Sequence, residues 1–104
     1  MRILFDQGTP VPLKQLVIGH IVEPVFELDW SNVENGALLA RAEDSFDLFI
    51  TTDQQLRYQQ SLAGRKLGVL VLMTTSWPRM RLHAQRVVEA VEQMTPGEYR
   101  EIRF

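Results

Sequence analysis

Phe46-Asp47-Leu48-Phe49-Ile50-Thr51-Thr52-Asp53 is a run of β-favouring apolar residues that breaks off in two hydroxyls and a carboxylate. The polar, helix-compatible segment 54–60 follows at once. This order predicts a buried strand that delivers Asp53 to its C-terminal tip. The opening of the chain, Met1-Arg2-Ile3-Leu4-Phe5-Asp6, repeats the design, with Gln7-Gly8 as the turn. In an open α/β sheet ligands bind at the carboxyl edge of the strands, above all between strands whose connections leave in opposite directions. Asp6 and Asp53 therefore mark the candidate site.

Outward from that strand, Leu67-Gly68-Val69-Leu70-Val71-Leu72-Met73 is the most apolar run and suits a central parallel strand, with Thr74-Thr75-Ser76 as its polar tip. Ile21 and Val22 form a short strand that Pro24 confines to an edge. The alternating, charged Tyr99-Arg100-Glu101-Ile102-Arg103-Phe104 reads as a protected edge strand. Thr9-Pro10 has the form of an N-cap and first helical residue, for a short helix that ends at Gly19. Ser31-Asn32-Val33-Glu34 fits a capping box, with Asn35 as the other candidate cap, ahead of a helix that buries Leu38, Leu39 and Ala42. A helix after Asp53 is expected to run to Gly64. Ser76-Trp77-Pro78 opens the longest helix, with Met80, Ala84, Val87, Val88, Val91 and Met94 on one face and Thr95-Pro96-Gly97 as its stop. Strands alternating with helices predict right-handed crossovers and a three-layer αβα domain over 1–104, with a mainly parallel sheet of four to five strands. A strand order of 2-1-3-4 plus an edge strand would make the strands that carry Asp6 and Asp53 neighbours.

A chain of 104 residues has room for one core. No apolar run approaches the roughly 18 residues of a membrane helix, and the N-terminus enters a strand directly, so the expectation is a cytoplasmic protein. Without cysteine, any metal must be held by oxygen or by the two histidines. His20 and His83 have no partner at ligand spacing. The net charge of −2 hides an asymmetry: residues 54–88 carry six basic side chains and no acidic ones. If Arg57, Arg79 and Arg81 share a face beside the aspartates, they could steer a polyanion that the bulk charge would repel. Solvated helix faces account for such arginines equally well.

Two carboxylates at adjacent strand tips repel each other and are relieved by a proton or a divalent cation. Mg²⁺ prefers oxygen ligands and is commonly held by one or two carboxylates plus substrate phosphate. Thr52 and Ser76 place hydroxyls near the same edge, where they could orient a carboxylate or water. An aspartate that follows a strand is, taken alone, more often a helix cap than a ligand. Trp77 could stack on a base or anchor the start of its helix.

Asp6-Gln7-Gly8-Thr9-Pro10, Gly19-His20, Leu38-Leu39 and Thr51-Thr52-Asp53-Gln54 together resemble a family of small bacterial PIN-like proteins, largely uncharacterised, over nearly the whole chain. That family carries Asp-Glu-Asn-Leu-Pro at the first place and Thr-Arg-Asp at the last, and is similar in turn to PIN-domain ribonucleases that act as toxins. The resemblance implies a ribonuclease dependent on Mg²⁺ or Mn²⁺, with RNA as substrate, an antitoxin protein as partner and homodimers among its relatives. It makes Asp6 and Asp53 metal ligands, with Asn35 or Glu34 as an auxiliary. Thr52 and Ser76 would orient water; Arg57, Arg79, Arg81 and Trp77 would meet RNA. Gln7 departs from the family's glutamate, Asn35 falls where relatives often have an acid, and no acid follows the fourth strand. Those departures motivate an alternative, a catalytically degenerate module that binds RNA or an antitoxin without cleavage. A receiver-like phosphoacceptor, suggested by the same two aspartates, lacks the lysine that such a site requires after its fifth strand.

Overall fold

Strands with no polar alternation need cover on both faces, and the sheet supplies it. The computed structural model describes residues 1–104. Five strands, β1 (Arg2–Phe5), β2 (Ile21–Pro24), β3 (Leu48–Thr51), β4 (Gly68–Leu72) and β5 (Tyr99–Ile102), form one sheet in the order β2-β1-β3-β4-β5. Every pairing is parallel, with Phe5 opposite Ile50 and Ile50 opposite Leu70. Four helices accompany them: α1 (Asn35–Ser45), α2 (Leu56–Gln59), α3 (Trp77–Leu82) and α4 (Ala84–Gln93), with two 3-10 turns at Val11–Gln15 and Val25–Leu28. No helix is long and apolar enough to cross a membrane.

The two-residue period of the strands splits the core into two layers. Ile3, Phe5, Leu48, Ile50, Leu70 and Leu72 point to one face, under Leu13 and Val17 on one side and Met80, Val87, Ala90 and Val91 of α3 and α4 on the other. Leu4, Phe49, Val69 and Val71 point to the opposite face, under Leu38, Leu39 and Ala42 of α1 and Leu56 of α2. The arrangement is three layers, as expected.

One crossover departs from the expected hand. The link from β1 to β2 steps toward the β2 edge over the Leu13 face, while the links from β2 to β3 and from β3 to β4 step the other way over the α1 face. These three share a hand. The link from β4 to β5 steps toward the β5 edge over the Leu13 face, so its hand is opposite. Parallel crossovers are right-handed in all but a few per cent of cases, which makes this the left-handed one. Burial explains the exception. A right-handed return would stack α3 and α4 on the face that α1 and α2 already cover, and would leave Ile50, Leu70 and Leu72 in water.

Several helix boundaries also differ from the expectations. Thr9 caps nothing: its hydroxyl is buried and donates to the Ile50 carbonyl at 2.9 Å, the same oxygen that accepts the Asp6 N–H. The capping box at Ser31 does not form. Trp30 packs edge-on against Phe46, with ring centroids 6.1 Å apart, and the chain between Trp30 and Val33 closes a turn, so α1 starts only at Asn35 with Glu34 as an N-cap lacking a side-chain bond. The helix after Asp53 is a single turn and stops well short of Gly64, because Glu43 draws the chain away by accepting from the Lys66 N–H and Arg65. The longest helix is two: His83 leaves helical geometry (φ −120°, ψ 24°) and turns its ring toward Phe104.

Candidate functional site

β1 sends its connection over one face and β3 over the other, so their shared carboxyl edge is the point where the topology reverses. Asp6 follows β1 directly and Asp53 follows β3 by two residues, which sets both half-buried on this rim. Thr51, fully buried, joins them. Its hydroxyl donates to Asp6 Oδ2 at 2.7 Å and accepts the Asp53 N–H at 3.0 Å. Asp6 Oδ1 accepts from the Gln7 N–H at 2.9 Å, and Asp53 Oδ1 from the Gln55 N–H at 2.9 Å. Asp53 Oδ2 accepts from Asn35 Nδ2 at 3.3 Å, which brings the first turn of α1 onto the rim.

Each carboxylate oxygen therefore has one neutral donor and retains acceptor capacity. No lysine, arginine or histidine pairs with either aspartate. The donor set that a cation would meet here is oxygen only: two carboxylates and the Asn35 amide. That suits a hard ion such as Mg²⁺ or Mn²⁺ better than a soft one. No group of three or more His, Asp or Glu side chains is gathered for a metal anywhere in the molecule.

The other candidate residues distribute as follows. Glu34 is exposed at the α1 N-cap, beside Asn35, and its carboxylate has no hydrogen-bond partner. Thr52 stands against Gly8, where a Cβ would come within 2.5 Å of its hydroxyl oxygen, so the turn after Asp6 needs glycine for room. Ser76 caps α3 by accepting the Arg79 N–H at 3.3 Å, and touches neither aspartate. Trp77 is partly buried against the core. Arg57 is drawn toward β5, where it pairs with Glu101 at 3.2 Å and lies over the Tyr58 ring. Glu101 also accepts from the Tyr99 hydroxyl at 2.7 Å; burial and this carboxylate push the phenol up to about 12. Arg79 and Arg81 pair with no acid and are exposed on α3, which follows β4 at the same carboxyl edge.

Thr51 is the residue that sequence reasoning passed over in favour of Thr52. Its signal was the Thr-x-Asp spacing, in which a hydroxyl reaches the backbone N–H two residues on. The rim is open rather than concave: the two cavities, of about 350 and 210 Å³, lie elsewhere, the larger between Met1, Asp47, Lys66 and Met94 and the smaller between α4 and β5.

Compared with protein families, with characterised proteins and with solved structures, the chain finds no match. Any reading of its chemistry therefore rests on this rim and on the residues that build it.

Proposed function

We propose that the chain is a divalent-metal-dependent ribonuclease of PIN-like type, acting as or descended from the toxin of a toxin–antitoxin pair. One observation carries the reading: Asp6 and Asp53 meet across Thr51 at the topological switch of the sheet, with no cationic side chain to neutralise them. The toxin assignment rests on the resemblance alone. Asp6, Asp53 and the Asn35 carbonyl would hold the ion, which when bound would supply a Lewis acid for phosphodiester hydrolysis. Thr51 orients the Asp6 carboxylate and anchors the Asp53 backbone beside it in advance. Arg79 and Arg81, unpaired on the same edge, would meet phosphates, and an open rim admits an extended polymer where a small substrate would want a cleft.

RNA cleavage in Mg²⁺ or Mn²⁺ tests this, with Asp53→Asn beside the wild type. Loss of cleavage in the variant is expected; equal cleavage by both proteins removes the proposal. Asn35 favours the second reading, a non-cleaving module that binds RNA or an antitoxin, because its amide meets Asp53 as a donor where an acid would give the ion a third carboxylate. Calorimetric titration with Mn²⁺ separates the two, since the silent module shows no heat that depends on Asp53.

A further inference from the structure

The chain has two asparagines, Asn32 followed by valine and Asn35 followed by glycine. An asparagine amide is lost when the next backbone nitrogen attacks its Cγ. The Cγ–Nδ2 bond breaks as the new C–N bond closes a succinimide, ammonia leaves with the proton of the attacking N–H, and water opens the ring to aspartate or isoaspartate. No electrons change hands, and water is the one co-reactant. Glycine in the following position gives the nitrogen the least hindered approach, whereas a β-branched residue blocks it. Gly36 is the second residue of α1, where the N–H has no acceptor within the helix and stays free to react.

What makes this position consequential is its neighbour. Asn35 Nδ2 donates to Asp53 Oδ2 at 3.3 Å, so the amide at risk is the one that faces the candidate metal ligand. We infer that Asn35-Gly36 is a self-modifying site, whose deamidation turns a donor toward Asp53 into a carboxylate and strengthens divalent-cation binding on the rim. The modification stands on the local chemistry; the gain in affinity rests on the metal reading given above. The aspartate product sets a carboxylate where the amide stood, and two carboxylates at this separation repel until a cation relieves them, whereas isoaspartate carries its free carboxyl on Cα.

Peptide mapping by mass spectrometry of the folded protein, held at mildly alkaline pH, tests the first part. Conversion of Asn35 is expected while Asn32 stays intact. Gly36→Ala should suppress it without unfolding the protein, because the added Cβ meets only the movable end of Gln60, at 3.2 Å. An Asn35 that survives as long as Asn32, or that converts equally fast in Gly36→Ala, overturns the modification. Mn²⁺ titration of freshly purified wild type against Asn35→Asp tests the second part, with binding about tenfold tighter in the variant as the expected result. Equal affinity overturns the gain. Absence of Mn²⁺ binding in both proteins removes the metal reading and the gain together, while the peptide map still decides the modification.

Discussion

The Thr51 hydroxyl has two duties, toward Asp6 and toward the Asp53 N–H, and valine has nearly its shape without the oxygen. Thr51→Val therefore leaves a backbone donor unmet and takes a partner from a carboxylate, in a side chain that water does not reach. The expected loss is about 2 kcal/mol, read as a lower urea midpoint at unchanged slope, and Thr51→Ser should restore most of it. The same substitution should weaken any Mn²⁺ binding, because Asp6 and Asp53 lose their common tether. At this scale the sequence showed the two aspartates and where their strands end. It could not show which of two adjacent threonines turns inward, because that depends on the register by which β3 meets β1 and β4.

Turns at the scale of elements impose sharper demands than the helices do. Gly97, between α4 and β5, sits at φ 78°, and a Cβ there would come within 2.7 Å of the Arg65 carbonyl oxygen. Gly97→Ala meets both a left-handed backbone and a fixed obstacle, and should cost about 3 kcal/mol in chemical denaturation. β5 also carries a pH signature. Tyr99 is held protonated up to about 12, first by burial and then by Glu101, so the folded chain keeps a proton that the unfolded chain releases near its ordinary pKa of about 10. Its contribution to stability is complete below that lower value and fades as pH rises through the window. Thermal melts across it should fall more steeply for the wild type than for Tyr99→Phe. All five strands could be read in advance, four from their apolar residues and β5 from its alternation. Helix boundaries were legible where a local cap suffices, as Ser76 does for α3, and not where Thr9, Trp30 and His83 are claimed by a partner far along the chain or in another element: Ile50, Phe46 and Phe104.

For the molecule as a whole, the cationic third of the sequence proves to be partly spent. Arg57 and Arg65 neutralise Glu101 and Glu43, which come from the acidic parts of the chain, and Arg86 lies over Phe104. Arg79 and Arg81 remain without an ion pair. If they meet RNA, binding of a single strand should weaken as salt rises, and the double variant Arg79→Ala/Arg81→Ala should flatten the slope of log K against log salt by about 1.4. An unchanged slope would put the phosphates elsewhere. Neither the pairing of these charges nor the odd-handed final crossover was legible from local pattern, because both are settled only when the two faces of the sheet compete for cover.

That crossover sets an order of events during synthesis. A chain emerging from its amino end completes β2, β1, β3, β4 and the α1 layer before α3 and α4 exist. Until they arrive, the Phe5, Ile50 and Leu72 side of the nascent sheet is shielded only by Leu13 and Val17. The last third of the polypeptide thus acts as a lid fitted after the box is built, and a stalled ribosome would leave an adhesive surface open to chaperones and to other unfinished chains.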